Sequence, residues 1–406
     1  MVEIGEENPG KVRTAEIIVA IPSYDEAEPI RLSTRTASEG LTRFYPDRPS
    51  VIIHYDDSPT EFRRDAFLAV DTEVPKIYLP SPEGAGGRGE HLRSLFMKAV
   101  DLKARAVIVV EADLESMTPR WISNLADPLF RDFGFVAPLY DRHRFEEAMT
   151  HIIAYPLTRT LYGRRVRHPL GGEFGFSGNL ARIFLQNGTW EDLVSPPAVD
   201  IWMITLATNH RVHICQSLIH RRDPEKPGKE TGDPGPLFDQ VVRAIFTLME
   251  RYADYWKRVK WSRPTAVFGV PSDGRESSLG MTIDKKRFYE RFIEGTGGSI
   301  DRLRAVLSAE VFSKLMEVAG IGLGRFDFPT ELWAKILFDF AVAFHKDNND
   351  GGGLLDSLRP LYYGRLLGFF NDIEKMSTRR AEQYVEEQCL IFEETKPYLI
   401  RRWADG

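Results

Sequence analysis

Cysteine is almost missing from this chain of 406 residues, which has only Cys215 and Cys389. Two thiols so far apart, in unlike surroundings, exclude a disulfide framework and offer no zinc-ligand spacing, and they fit a reducing, cytoplasmic compartment. Long hydrophobic runs are missing too: none approaches the roughly 18 apolar residues needed to span a bilayer. The opening MVEIGEENPGK is polar and acidic, unlike a secretory leader. There is no excess of positive charge. The net charge is −6, which argues against bulk nucleic-acid binding. The phosphate-binding pattern GxxxxGK[ST] is absent, as are internal repeats and long low-complexity tracts. The expectation is a soluble cytoplasmic protein with no membrane and no nucleic-acid partner. What remains is an ordinary globular composition, 43% hydrophobic and 28% charged, on a chain long enough for two or three domains.

The first half alternates short apolar runs with amphipathic segments. Strands are expected at 16–21, 51–55, 76–79, 106–110, 135–139 and 212–216, with helices such as 90–102 and 119–131 between them. That alternation implies an α/β fold with a mostly parallel, doubly wound sheet flanked by helices. The stretch 156–197 is mixed and carries the glycines Gly171, Gly172, Gly175 and Gly178. From about Pro236 the pattern turns helical: Leu237, Val241, Ile245, Leu248, Met249, Tyr252 and Trp256 recur at helical spacing. Further helices are expected around 301–318, 329–345, 354–373 and 378–403. The division expected is 1–232 as one α/β domain and 233–406 as a helical C-terminal region, a lid or a dimerisation element. DNNDGGG at 347–353 reads as a loop.

The chemistry concentrates where apolar runs end. Val110-Glu111-Ala112-Asp113 closes the fourth expected strand, and open α/β sheets keep their ligand crevice at the carboxyl ends of such strands. Glu111 and Asp113, one residue apart, suit a hard divalent cation that in turn holds a diphosphate; a solvated turn with Asp113 near a helix cap fits the same residues. Pro22-Ser23-Tyr24-Asp25-Glu26 follows the first strand, and His54-Tyr55-Asp56-Asp57-Ser58 the second. Their carboxylates suit a nucleobase or ribose, and Asp57 or Ser58 equally suits a helix cap. Gly84-Ala85-Gly86-Gly87-Arg88-Gly89-Glu90 leads into a helix whose N-terminus favours an anion. His220 follows the last strand, ahead of the basic residues Arg221, Arg222, Lys226 and Lys229. Its imidazole suits a metal site begun by Asp113.

In order, IPSYDE, YDDSPTE, GGRGEHL, EADLE, HPLGGEFGFSG, AVDIW and LIH make the chain resemble the soluble GT-A (Rossmann-like) glycosyltransferases that make glucosylglycerate, glucosyl-3-phosphoglycerate and mannosylglycerate. The resemblance runs from about Ile17 to Lys229, and more loosely beyond. The segment IAYPLTRTLYGRRVRHPLGGEFGFS is its most specific part and looks closest to the glucosylglycerate synthases. It implies a retaining, Mg²⁺- or Mn²⁺-dependent transfer of glucose from GDP-, UDP- or ADP-glucose to D-glycerate, a step of compatible-solute synthesis. It places Pro22, Tyr24, Glu26, Asp56, Arg88, Glu111 and Gly172 about the donor, with Glu173 on sugar hydroxyls and Asp200 near the reacting centre. Asp113 and His220 would hold the metal. Arg142, Thr150 and Gly171 would hold the acceptor.

Departures from the family pattern shape this expectation. Glu111 replaces the first aspartate of DxD, and Arg88 stands where the family has a lysine, an exchange that changes phosphate geometry. The arginine that the 3-phosphoglycerate enzymes offer the acceptor phosphate has no counterpart at about Ala148, which favours unphosphorylated D-glycerate over 3-phosphoglycerate. Another small hydroxy acid or sugar as acceptor, mannose as donor sugar, a nucleotidyltransferase, and a non-catalytic nucleotide-sugar-binding module stay open. A processive synthase does not fit, because LIRRW at 399–403 lacks the glutamine of QxxRW. The C-terminal aromatics read as core.

Overall fold

The computed structural model describes residues 5–22, 27–56, 60–80, 88–111, 117–140, 144–188, 195–219, 234–269, 283–347 and 353–404. The strands, in chain order, are β1 (Ile17–Pro22), β2 (Ser50–Asp56), β3 (Lys76–Pro80), β4 (Ala106–Val109), β5 (Phe135–Tyr140), β6 (Phe174–Ser177), β7 (Ile214–Ile219) and β8 (Ala266–Phe268). The helices are α1 (Ala27–Phe44), α2 (Glu61–Leu68), α3 (Arg88–Asp101), α4 (Pro119–Ala126), α5 (Tyr155–Tyr162), α6 (Gly178–Asn187), α7 (Pro196–Asn209), α8 (Gly235–Arg251), α9 (Ala253–Trp256), α10 (Lys285–Gly298), α11 (Ile300–Val306), α12 (Ala309–Ala319), α13 (Thr330–Lys346), α14 (Leu354–Ile373) and α15 (Thr378–Ala404). Among the described residues no helix is long and apolar enough to cross a membrane.

The chain divides into two compact units. The first comprises Met1–Asp141, Val166–Asp223 and Thr265–Arg275, and the second Arg142–Arg165, Pro224–Pro264 and Glu276–Gly406. A cut at 232/233 therefore does not separate them. Residues 142–165 belong with the C-terminal helices, and β8 returns to the first unit because it pairs with β7.

The first unit is α/β, with an eight-stranded sheet in the order β3-β2-β1-β4-β6-β5-β7-β8. All neighbours are parallel except β6, which runs antiparallel to both β4 and β5. The apolar runs of β1 and β4 are buried on both faces, as a sheet covered by helices on two sides requires. Alternate residues Ile17, Val19 and Ile21 of β1 and Ala106 and Ile108 of β4 share one core with Ile30 and Leu41 of α1 and Trp121, Ile122 and Leu125 of α4. Phe96 of α3 and Phe184 of α6 close on Phe176 of β6, at ring-centroid distances of 5.2 and 6.0 Å, and Trp202 of α7 meets Phe184 at 5.1 Å.

Two strands fall outside the sequence expectation. Phe-Gly-Phe-Ser of β6 is four residues with a central glycine, and Ala-Val-Phe of β8 is three residues and largely exposed. Neither is long enough for its period to register. The expected strand at 212–216 forms two residues later and runs on to Ile219. The expected helix at 301–318 breaks at Leu307, where Ser308 caps α12 by accepting from the Val311 N–H at 3.3 Å.

The second unit packs its helices around buried charge. Thr150–Ala154 form a π-helical turn before α5, and the Trp333 indole of α13 donates to the Ile152 carbonyl at 2.9 Å. Arg159 of α5, 1% exposed, pairs with Glu393 at 2.7 Å and Glu386 at 2.6 Å, both on α15. Lys396, one turn beyond Glu393 and 2% exposed, donates to the carbonyls of Thr160 at 2.8 Å and Val259 at 2.7 Å. At the end of α15, Trp403 stacks on His345 at 4.4 Å and meets the edge of Trp256 at 5.2 Å. Leu399 and Trp403 of LIRRW are thus buried on one face of a helix end whose Arg401 is exposed, and His345, which pairs with Glu250 at 2.7 Å, serves packing here.

Burial pushes Lys396 down to about 7 from the ordinary lysine value of 10.5, against the opposing pull of Glu393. The unfolded chain therefore binds a proton that the folded chain has released, and stability rises with pH across that interval. Burial raises Cys215 to about 12, which opposes the gain above the ordinary thiol value of 9.0. The urea midpoint is expected to climb between about pH 7 and pH 9, and Lys396→Met to remove that climb. A flat profile in the unmutated protein would contradict the assignment.

Candidate active site

The parallel strands of the first unit end along one edge, and β6 begins there. Val109, the last residue of β4, pairs with Phe174, the first of β6, and Tyr140 at the end of β5 pairs with Ile219 at the end of β7. The last residues of β1, β2, β4, β5 and β7, and the residues just before β6, therefore share one rim. α3 belongs to it as well. This helix starts at Arg88 after β3 and ends at Asp101, ahead of the opposite end of β4, so its N-terminus lies toward the carboxyl rim.

At the centre, Glu111 leaves β4 and its carboxylate lies over the Gly171-Gly172 turn. A Cβ on Gly172 would stand 2.0 Å from Glu111 Oε1, and one on Gly171 would stand 2.2 Å from Pro138 Cγ and 3.0 Å from the Tyr140 hydroxyl. Only glycines let this backbone slide between the acidic exit of β4 and the end of β5. The Gly171 N–H donates to the His168 carbonyl at 3.2 Å, which closes the turn. Glu173 follows and is fully buried. The Tyr140 hydroxyl donates to its Oε2, and the Tyr140 ring meets the His168 ring edge-on at 4.9 Å.

At the β1–β2 side, Asp56 closes β2 with no exposure. It accepts from the Tyr78 hydroxyl at 2.7 Å and pairs with Arg63 at 3.3 Å. Burial first, and then this hydrogen bond, raises the Tyr78 hydroxyl above the ordinary tyrosine range. Arg63 is aimed back at the strand because α2 starts at Thr60, whose side chain accepts from the Arg63 N–H at 3.2 Å. The cap expected from Asp57 or Ser58 thus falls to Thr60. His54, also fully buried, faces the Ile21 carbonyl at 3.1 Å beneath Pro22 and ties β2 to the end of β1.

The other expected residues divide as follows. Asp200 lies on α7, 6% exposed, in the first unit. Thr150 is buried in the π-helical turn of the second unit. Tyr24, Glu26, Asp113, Arg142 and His220 lie outside the described residues, as do Arg221, Arg222, Lys226 and Lys229, while Arg88 is described as a helix position only. Among the described residues no three His, Cys, Asp or Glu side chains are grouped as metal ligands.

Glu111 brings the donor type a hard cation takes, a partly exposed carboxylate, to the rim. Asp113 stands four residues past Val109, and His220 follows Ile219 directly.

Reading the sequence singled out Glu173 and Asp56 but not their partners Tyr140, Tyr78 and Arg63. The signal lay in position: Tyr140 is the residue immediately after the run expected as a strand, where a polar tip meets the rim.

No protein-family model matches the chain, and no curated protein does. Among solved structures, glucosyl-3-phosphoglycerate synthase from Mycobacterium tuberculosis, in complex with Mn²⁺, UDP and glucosyl-3-phosphoglycerate, is 19% identical, over 58% of this chain and 80% of that one, with a TM-score of 0.43. The same enzyme with Mg²⁺ and UDP is 17% identical, over 58% and 79%, with a TM-score of 0.43. Mannosyl-3-phosphoglycerate synthase from Rubrobacter xylanophilus is 14% identical, over 59% and 75%, with a TM-score of 0.44. The chain is similar to these structures over somewhat more than half its length.

Proposed function

We propose that the chain is a metal-dependent, retaining hexosyltransferase that moves glucose from a nucleotide-glucose donor to D-glycerate. The observation that carries this reading is the single rim. Pro22, Asp56, the N-terminus of α3, Glu111 and the Gly171-Gly172-Glu173 turn all stand at one edge of one sheet, and the chain positions of Asp113 and His220 lead off the same edge. Open α/β sheets bind nucleotides at this edge.

In this reading Pro22, Tyr24, Glu26 and Asp56 line the base and ribose pocket. Arg88 and the N–H groups at the start of α3 receive the diphosphate. Asp113 and His220 hold the Mg²⁺ or Mn²⁺, which when bound neutralises charge on the departing nucleotide diphosphate. Glu111 braces the glycine turn, so that Gly172 passes close to the donor and Glu173 meets the sugar hydroxyls. Asp200 stands near the reacting centre, and Gly171 receives the acceptor's carboxylate. The acceptor hydroxyl oxygen bonds to the anomeric carbon as the bond from that carbon to the diphosphate oxygen breaks.

Incubating the purified chain with UDP-, GDP- or ADP-glucose, Mg²⁺ or Mn²⁺ and D-glycerate is expected to yield glucosylglycerate and free nucleotide diphosphate, and chelation by EDTA to stop it. Absence of any glycoside with every donor overturns the proposal. Should 3-phosphoglycerate or a mannose donor turn over faster, the substrate assignment moves while the transferase reading stands.

Asp113→Ala is expected to lower turnover by about 100-fold or more and to abolish the metal-dependent rise in melting temperature with nucleotide. Gly172→Ala places a methyl where the Glu111 carboxylate lies. It is expected to lower kcat at least tenfold while leaving the fold's melting temperature within a few degrees, because the partly exposed Glu111 side chain is able to swing aside. Unchanged kcat in Gly172→Ala would remove the brace from the mechanism.

A further inference from the structure

We propose that Tyr140 is a positioning residue for the transfer step, holding the Glu173 carboxylate in place for the donor sugar; the role rests on the transferase reading above. Tyr140 is the last residue of β5 and is 6% exposed, so its ring is fixed by strand and core together. Phenylalanine would fill the same volume. A phenol in so dry a place costs free energy unless its hydroxyl is bonded, and its hydroxyl donates to Glu173 Oε2. Glu173 has no exposure at all, and a carboxylate taken wholly out of water needs donors aimed at it.

The surroundings are built to keep this pair. His168 presents its ring at 64° and 4.9 Å to Tyr140, which removes the freedom of the phenol to tilt. Gly171 leaves the space beside the hydroxyl clear, since a Cβ there would stand 3.0 Å from it. The turn that exposes Gly172 at the rim also delivers Glu173 to Tyr140. Acceptance of the phenol's hydrogen bond at Oε2 fixes the plane of the carboxylate directly after the Gly171-Gly172 turn, ahead of any contact with the sugar.

The test compares Tyr140→Phe, Glu173→Leu and the double variant, by kinetics and by melting. Tyr140→Phe is expected to lower kcat about tenfold or more, the worth of one hydrogen bond to a charged group, with the KM for donor within about twofold of the unmutated value. In the Glu173→Leu background the same change is expected to have no further effect on kcat, because Tyr140 acts only through Glu173. Melting supplies a readout that does not depend on turnover. Tyr140→Phe is expected to lower the melting temperature of the unmutated protein. In the Glu173→Leu background, where the Glu173 carboxylate is gone, it is expected to lower the melting temperature by less than in the unmutated protein. Where Glu173→Leu does not fold, Glu173→Gln replaces it, and Tyr140→Phe is then expected to cost less than in the unmutated protein. Full kcat in Tyr140→Phe, losses that multiply in the double variant, or equal melting losses in both backgrounds overturn the proposal. An unmutated protein that transfers nothing overturns the transferase reading and the role with it, and the melting cycle still decides the pair.

Discussion

Everything at the rim depends on one antiparallel strand among parallel neighbours. β6 enters between β4 and β5 against their direction, so its first residue, Phe174, pairs with the last residue of β4, Val109. A parallel strand in that place would bring its far end to the rim and leave Gly171, Gly172 and Glu173 on the opposite edge. With the direction reversed, the turn before β6 meets the acidic exit of β4 and the polar end of β5 together. Glu111 reaches the backbone of Gly172, and Tyr140 reaches Glu173, for that reason.

The second physical theme is the burial of carboxylates. Asp56 and Glu173 both have no exposure, and each takes a tyrosine hydroxyl from a neighbouring segment, Tyr78 in one case and Tyr140 in the other. A buried carboxylate without such donors would take up a proton or destabilise the fold. Asp56 also has Arg63, held in place by the Thr60 cap. The helical unit repeats the solution on a larger scale, with Arg159 set against Glu386 and Glu393, and Lys396 set against two carbonyls. Buried polar networks of this kind tolerate few alternatives in packing.

The sequence by itself determined the alternation of elements and the places where polar residues leave the sheet. Its apolar runs are long enough to be read one at a time, since a strand buried on both faces must be apolar throughout. The bounds expected at 354–373 coincide with α14, and 378–403 falls within one residue of α15. The pairing decided the rest. β6 and β8 are too short to show a period, and the direction of β6 is set only by the strands on either side. The tyrosine partners of Glu173 and Asp56 lie 33 and 22 residues away along the chain, at separations no local pattern records. The division into units follows contacts that join 142–165 to the C-terminal helices and β8 to β7, which no single cut in the chain reproduces. Local chemistry is written residue by residue, whereas register and burial arise from the whole sheet closing at once.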